Sequence, residues 1–108
     1  MAEAAILVLT QMPDRASAQA LARALVEARL AACVSVGASA ESLYHWRGEI
    51  ETAQEVPVAI KTRAARYAAV EAAILARHPY ELPEILAVPI RGASADYLAW
   101  IDAETLHD

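Results

Sequence analysis

The sequence predicts an α+β fold of the ferredoxin-like type, in which strands and helices follow one another as β-α-β-β-α-β. Two observations predict this order. Short apolar segments with strand-like patterns alternate with alanine-rich segments of helical periodicity. The two β-α-β halves also suit an antiparallel sheet with both helices on one face. A short segment near the C-terminus adds one more helix. A chain of 108 residues fits one such domain, so we predict a single domain over residues 1–108.

The first half of the chain begins with a buried strand, because Ala4 to Leu9 is a continuous apolar run. Asp14 can cap the helix that follows, since its carboxylate can accept hydrogen bonds from the free amides of the first turn. Apolar side chains at helical spacing predict the buried stripe of that helix: Leu21, Ala22, Leu25 and Val26. Residues 32–36 return as a strand around Cys33. This is the only cysteine, so an intrachain disulfide is excluded, and we interpret it as a buried, inert side chain.

A long β-hairpin is predicted in the middle of the chain. Ser42 to Trp46 reads as an extended segment, Arg47-Gly48 supplies the turn, and Glu49 to Lys61 runs back. The alternation of a strand places Leu43 and His45 on one face of the hairpin and Tyr44 and Trp46 on the other. Pro57 cannot donate a hydrogen bond to a neighbouring strand, so one side of the returning strand should be unpaired at that position.

The predicted hairpin is longer than the helix that would cover it. The strand from Glu49 to Lys61 is about 40 Å long if fully extended. The helix predicted from Arg63 to Arg77 is only about 22 Å long. The end of the hairpin therefore overhangs, and it carries three large side chains that are unfavourable in water: Tyr44, Trp46 and Ile50. We expect neighbouring copies of the chain to cover this end, with these three residues at the subunit interface.

The second half of the chain repeats the helix–strand pattern. Thr62 is predicted to cap the second helix, and Pro79 to end it. The buried stripe of this helix consists of Tyr67, Val70 and Ile74. Residues 84–90 form the next strand. Ser94 caps the last helix, which carries three large apolar side chains: Tyr97, Trp100 and Ile101.

Composition excludes several classes of function. The net charge is -5, and the nine basic residues are scattered, which argues against nucleic acid or an anionic membrane as a partner. The apolar run from Ala4 to Leu9 is too short to span a bilayer, so a cytoplasmic location is expected. The chain has no nucleophile elbow, no glycine-rich phosphate loop and no paired cysteines, so we expect it not to be an enzyme.

The most informative segment runs from His78 to Glu84, with the sequence HPYELPE. Pro79 and Pro83 end the preceding helix and stiffen the loop, because proline fixes φ and pushes the residue before it out of the helical region. The loop therefore holds an imidazole, a phenol and two carboxylates in a rigid connection. Such connections are frequent positions for functional residues. Glu81 and Glu84 flank Pro83, so helical spacing does not align their carboxylates.

Several segments together resemble the CutA family of divalent-cation tolerance proteins. The most specific are residues 42–50, SLYHWRGEI, and residues 78–85, HPYELPEI. The others are Pro13-Asp14, Ala18-Gln19, residues 30–33, residues 60–62 and residues 96–100. The resemblance implies a ferredoxin-like fold in a homotrimer similar to the PII signalling proteins. It also implies a cytoplasmic protein linked to metal-ion tolerance that binds copper or other divalent cations. The family brings no well-established catalytic reaction with it.

By this resemblance, only one of the family's metal-ligand positions keeps its residue type in this chain. In copper-binding relatives the ligands are a cysteine at the end of the first strand and a histidine pair before Pro-Tyr. Those positions correspond here to Thr10, Arg77 and His78, so only His78 is retained. One imidazole is not a metal site, because copper and zinc usually take three or four ligands. Glu81, Glu84 or His45 would complete a site only if folding or trimer contacts bring them close.

Three alternatives to metal binding remain open. The first is that His78 only caps the end of its helix by bonding the last carbonyls, and we favour this over metal ligation. The second is a PII-like sensor that binds a small anionic ligand in clefts between subunits. Its cleft candidates are Lys61, Tyr80, Glu81 and Glu84. A purely structural assembly protein is a third interpretation. A divalent ion such as copper is the only cofactor that we expect, and none is expected to be required for folding.

Overall fold

The computed structural model describes residues 4–107, so the predicted domain extends at both ends beyond the described residues. The described part contains five strands and three α-helices: β1 (Ala5–Met12), α1 (Arg15–Glu27), β2 (Cys33–Val36), β3 (Ala40–Trp46), β4 (Glu49–Arg63), α2 (Tyr67–Arg77), β5 (Ile85–Pro89) and α3 (Ala95–Glu104). This order confirms the predicted ferredoxin-like pattern. The second strand is divided into β2 and β3, and α3 is the added C-terminal helix.

The strands form one antiparallel sheet in the order β2-β4-β1-β5, and β3 also pairs with β4. β4 is the central and longest strand. Its second half lies between β1 and β2, whereas its first half pairs only with β3 because β1 ends where Met12 faces Val56. The start of β4 and all of β3 therefore project from the sheet as a two-stranded hairpin.

The core lies between one face of the sheet and the helices α1 and α2. Alternate residues of β4 point into it and are buried, as the period of a strand requires: Val56, Val58 and Ile60. They pack with buried residues of the first two helices, including Leu21, Leu25, Val70 and Ile74. On the opposite face of the sheet, Leu86 and Val88 of β5 remain 53% and 43% exposed. We call this opposite face the open face.

The helix caps that the sequence predicts are confirmed at two positions. Asp14 accepts a hydrogen bond at 2.7 Å from the Ser17 amide, and Ser94 accepts one at 3.2 Å from the Tyr97 amide. The Ser17 amide, followed by the Ser17 hydroxyl, lowers the pKa of Asp14. The predicted stripe of α1 is partly wrong. Ala18 is buried with Leu21 and Leu25, but Val26 is exposed.

Thr62 does not cap the second helix, so that prediction is wrong. Thr62 lies inside β4, which continues to Arg63 because Arg63 still pairs with Ala5 of β1. The buried Thr62 hydroxyl donates a hydrogen bond at 2.6 Å to the Leu30 carbonyl. A 3-10 turn over Ala64–Arg66 follows, and α2 begins only at Tyr67. The difference in length between the returning strand and the second helix is therefore larger than predicted, because β4 has fifteen residues and α2 has eleven.

Pro57 lies within the central strand without disturbing it. Its carbonyl accepts a hydrogen bond at 2.9 Å from Gly37, which separates β2 from β3. The amide and carbonyl of one residue in an antiparallel strand face the same neighbour. The side of Pro57 that lacks an N–H donor therefore faces the break between β2 and β3. This agrees with the prediction that one side of the strand is unpaired at Pro57. Gly37 fits there because a Cβ atom would lie 2.8 Å from Cγ of Pro57.

The hairpin ends in a tight turn at Arg47 and Gly48, which have φ angles of 52° and 82°. The register confirms the predicted division of its faces, since Tyr44 faces Glu51 and His45 faces Ile50. On the face that carries His45, which we call the outer face, Leu43 is 65% exposed and Ile50 is 68% exposed.

The C-terminal helix is attached to the sheet through a buried arginine. Arg63 donates to the Thr105 hydroxyl at 2.7 Å and to the Leu106 carbonyl, and Asp102 lies 3.8 Å from its Nε atom. Of the three large apolar residues predicted on this helix, only Ile101 is buried. No helix within residues 4–107 is both long and apolar enough to cross a membrane.

Candidate functional site

The loop of residues 78–84 crosses from the end of α2 to the start of β5 and passes the end of β1. α2 ends at Arg77, and His78 takes an extended conformation because Pro79 follows it. At the other end of the loop, the Thr10 hydroxyl donates a hydrogen bond at 2.6 Å to the Glu84 carbonyl. Both ends of the loop are therefore fixed to the body of the protein.

Both ring nitrogens of His78 are hydrogen-bonded. Nε2 lies 2.6 Å from the Gln11 carbonyl, and Nδ1 lies 3.3 Å from the Tyr80 amide. A carbonyl only accepts and an amide N–H only donates, so Nε2 carries the proton and Nδ1 uses its lone pair to accept. The Tyr80 ring packs against the imidazole with a centroid distance of 4.5 Å. His78 is the C-terminal cap of α2, as predicted, and its backbone N–H donates to the Ile74 carbonyl at 2.9 Å, whereas its ring bonds Gln11 of β1 and no helix carbonyl.

The residues of one chain do not fit a metal ion. Among residues 4–107, no group of three or more His, Cys, Asp or Glu side chains could hold one. His78 has no unused nitrogen lone pair in this arrangement. Thr10 binds the Glu84 carbonyl, and Arg77 is exposed on α2. His45 lies on the outer face of the hairpin, opposite to the face that carries Tyr44. The fold of one chain therefore leaves His78 as a single candidate ligand.

Tyr80 lies in acidic surroundings. Burial is the largest effect that raises the pKa of its phenol, and the neighbouring Glu55 carboxylate raises it further by charge and by hydrogen bonding. Tyr44 and Asp14 contribute smaller effects in the same direction. Glu55 is itself buried, with 8% of its surface exposed. This environment disfavours a second negative charge, so it is a poor position for an anionic ligand within one chain.

Lys61 lies far from Tyr80. Its ammonium group is 3.9 Å from the Cys33 sulfur on the open face. Glu55, beside Tyr80, is six positions earlier in β4, which corresponds to about 20 Å along an extended strand. Cys33 is half-buried rather than fully buried, because β2 is an edge strand of the sheet. The fold of one chain therefore does not join Lys61 and Tyr80 in a cleft.

Glu81 is at the middle of the loop and contacts the hairpin turn. Its carboxylate lies 2.8 Å from the Arg47 guanidinium, and both side chains are exposed. The Arg47 guanidinium also lies 5.4 Å from the centre of the Trp46 ring. Sequence reasoning missed this contact, because no local spacing rule relates residues 34 positions apart.

The structure also shows a role for Gln11 that the sequence did not indicate. Its backbone carbonyl binds His78, and its buried side-chain oxygen has no hydrogen-bond partner within the described residues. The Gln11 side chain lines a depression of about 360 Å³ on the open face. Leu9, Pro57 and Ala59 form much of the apolar wall of that depression. The only sequence signal was the position of Gln11 just beyond the first apolar run.

Comparisons with known proteins agree with this fold. The family model of the CutA1 divalent ion tolerance protein matches residues 6–104. The divalent-cation tolerance protein CutA of Pectobacterium atrosepticum is 42% identical over 99 residues, which cover 92% of this chain and 90% of the relative.

Solved structures give the same result. CutA1 of Oryza sativa has a TM-score of 0.95 and 33% identity, and the match covers 99% of this chain and 98% of the rice chain. CutA1 of the psychrotrophic bacterium Shewanella sp. SIB1 has a TM-score of 0.92 and 42% identity, and the match covers 97% of this chain and 98% of the Shewanella chain. The order of the strands, the long hairpin and the matched residues lead to one conclusion: this chain belongs to the CutA1 divalent ion tolerance family.

Proposed function

We propose that this protein acts in tolerance to divalent metal ions as a non-enzymatic homotrimer in the cytoplasm. Its family membership supports the role in metal tolerance, because curated relatives carry the name divalent-cation tolerance protein. One observation carries the assembly. The hairpin projects beyond the sheet with Leu43 and Ile50 mostly exposed on its outer face. Large exposed apolar surface of this kind is typical of surfaces that bind another protein.

The open face of the sheet supports the same assembly. It carries the exposed side chains of Leu86 and Val88 beside an apolar depression. A neighbouring copy would cover both this face and the hairpin. Tyr44, Trp46 and Ile50 remain the predicted interface residues of the hairpin. The number of three subunits is what the resemblance to the CutA family implies.

Binding of copper or another divalent cation is the second part of the proposal. His78 is the candidate ligand, and one chain does not supply the remaining ligands. A metal site therefore needs ligands from more than one protomer. The His78 ring must also give up one of its two hydrogen bonds, to Gln11 or to Tyr80. Since the protein has a core of packed apolar side chains from the sheet and both helices, we expect no metal to be required for folding.

Two measurements test the proposal. Sedimentation velocity at micromolar concentration should give the mass of a trimer, and a monomer would contradict the assembly. Titration calorimetry with Cu(II) and Zn(II) should show binding that the substitution His78→Ala removes. The metal role of this chain fails if neither ion binds more tightly than high micromolar, or if His78→Ala changes nothing.

One observation favours a second candidate function. Lys61 is the only lysine, and it lies half-buried on the open face, which assembly would turn toward a neighbour. In a trimer it could meet the loop of another protomer, with Tyr80, Glu81 and Glu84, and hold a small anionic ligand between subunits. Calorimetry with nucleotides and small organic acids tests this sensor function. Binding that Lys61→Ala removes and His78→Ala leaves intact would favour it over the metal role.

A further inference from the structure

The open face of the sheet carries two polar groups that find no matching partner within the described residues. Lys61 is half-buried, and its ammonium group lies 3.9 Å from the Cys33 sulfur, but none of the ion pairs within residues 4–107 includes it. The side-chain oxygen of Gln11 is buried and accepts no hydrogen bond in the same part of the chain. A half-buried charge and a buried acceptor both cost free energy until a partner reaches them.

These two groups lie at the ends of an apolar strip. Lys61 and Pro57 are four residues apart on the open side of β4, which corresponds to about 13 Å along a strand, and Gln11 is paired with Pro57. Between them lie the half-buried side chains of Ala59 and Leu9, which are paired with each other. The strip therefore presents a positive charge, an apolar patch and a hydrogen-bond acceptor, in that order.

The outer face of the hairpin carries the complementary groups in the same order. Glu41, Leu43 and His45 alternate along β3, and all three are exposed. Glu41 and His45 are also four residues apart, again about 13 Å along a strand. Ile50, which is paired with His45, enlarges the apolar patch around Leu43. The imidazole supplies an N–H donor in every protonation state that it takes near neutral pH.

One chain cannot bring these two surfaces together. Glu41 is paired with Gln54, which lies seven positions before Lys61 in β4, or about 23 Å along the strand. The alternation of β4 also directs Ile50 and Gln54 to the side of the buried Val56, whereas Lys61 points to the other side. The partner of the open face is therefore a second copy of the chain.

We propose that the outer face of the hairpin of one copy packs against the open face of the next copy. Glu41 pairs with Lys61 of the next copy, and His45 donates to the side-chain oxygen of Gln11. Leu43 packs into the apolar depression between these two contacts. This inference rests on the proposed assembly and specifies which surfaces form it.

The two contacts have different roles in this interface. The apolar patch excludes water, whereas the charge pair and the hydrogen bond fix the register in which the two copies meet. Because the hairpin and the open face are different surfaces, the interface is heterologous, and repetition of it closes a ring of copies.

Charge reversal tests the register in the intact protein. Sedimentation velocity first gives the oligomeric state. Subunit exchange between isotopically labelled and unlabelled protein, followed by native mass spectrometry, then measures how fast the copies separate. Glu41→Lys should speed this exchange by at least about tenfold, because it places two positive charges face to face. Combining Glu41→Lys with Lys61→Glu in the same chain should restore slow exchange, since the pair re-forms with its charges exchanged.

Glu27→Lys is the matched control, because it makes the same change of charge at an exposed position of α1. It should leave subunit exchange unchanged. Circular dichroism confirms that each variant is folded. If the half-buried Lys61→Glu prevents folding, Lys61→Met takes its place, and its combination with Glu41→Lys should exchange more slowly than Glu41→Lys alone.

A separate cycle tests the hydrogen bond. His45→Phe removes the donor and Gln11→Leu removes the acceptor, and each should speed subunit exchange several-fold. The double variant should exchange no faster than the faster single variant, because the second substitution removes a partner that is already lost. Effects that add would show that these two side chains do not meet.

The outcomes separate this contact from the assembly itself. An oligomeric wild type in which Glu41→Lys exchanges no faster than Glu27→Lys overturns the contact and leaves the proposed assembly intact. A combined reversal that exchanges as fast as Glu41→Lys also overturns it. A monomeric wild type overturns both the contact and the assembly.

Discussion

Tyr80 shows how one side chain of the candidate site depends on contacts from several elements. Its ring packs on His78 within the loop, and its phenol lies beside Glu55 of β4. The sequence marked Tyr80 and His78 as notable, because both lie in the segment HPYELPE, which two prolines stiffen. It gave no sign of Glu55 or Gln11 as neighbours, since those residues approach the loop only when β1 and β4 are paired.

The raised pKa of Tyr80 predicts a loss of stability at high pH. The folded chain keeps the phenol proton to higher pH than the unfolded chain, whose tyrosines titrate near 10.0. The stabilisation is therefore complete below the unfolded pKa and is lost as pH rises through the folded pKa. We expect the stability of the wild type to fall more steeply than that of Tyr80→Phe above about pH 10.

Urea unfolding at a series of pH values and at fixed protein concentration measures this difference. The pKa of Tyr67 is also raised, mainly by its hydrogen bond to Glu71, but Tyr67 is present in both proteins and does not affect the comparison. Parallel stability curves for the two proteins would contradict the assigned environment of Tyr80.

The close approach of Gly37 to Pro57 predicts how a single added methyl group would change the stability of the protein. A Cβ atom there would lie 2.8 Å from a ring carbon of Pro57, and a proline ring in a central strand has little room to move. Gly37→Ala should therefore destabilise the protein by about 1–3 kcal/mol through overpacking. Gly92→Ala is the control, because nothing lies within 4 Å of its Cβ position, and it should change stability by less than about 0.5 kcal/mol. Equal effects of the two substitutions in urea unfolding would contradict the close contact.

At the scale of elements, local patterns predicted the helix caps well and the strand ends poorly. Asp14 and Ser94 cap their helices through amides three residues away, so the whole interaction lies within one turn. Thr62 is also of a residue type that favours helix caps, and it precedes a helical pattern, yet it lies in a strand. The pairing of Arg63 with Ala5, on the other side of the fold, extends β4 past it. The sequence around Thr62 contains no trace of that partner.

Arg63 is the residue on which the attachment of α3 depends. It is buried, and it donates to the Thr105 hydroxyl and the Leu106 carbonyl at the end of that helix. Arg63→Ala removes hydrogen bonds from a charged donor, and we expect a loss of about 1.5–3 kcal/mol in the free energy of unfolding. Hydrogen exchange should increase in α3 before it increases in the sheet. Arg91→Ala, at an exposed position, is the control. Unchanged protection of α3 in Arg63→Ala would show that the apolar contacts of α3 are enough to attach it to the sheet.

At the scale of the whole molecule, the exposed outer face of the hairpin predicts how assembly can be broken. Ile50→Lys places a charge where the proposed interface excludes water. We expect the dissociation constant of the oligomer to rise at least about tenfold, equivalent to about 1.4 kcal/mol. Ala72→Lys, on an exposed part of α2, should leave assembly unchanged. Sedimentation velocity over a range of concentrations measures both, with circular dichroism to confirm folding. An oligomer of unchanged affinity in Ile50→Lys would place the interface elsewhere.

The sequence by itself determined the order of the elements, the long hairpin with its two faces, and the family. Each of these is encoded in patterns a few residues long or in motifs such as HPYELPE. The tertiary structure decided the contacts of the candidate site. Gln11 and His78 are 67 positions apart, and Arg47 and Glu81 are 34 apart. Strand pairing and the path of the loop bring such residues together, and neither leaves a periodic signal in the chain.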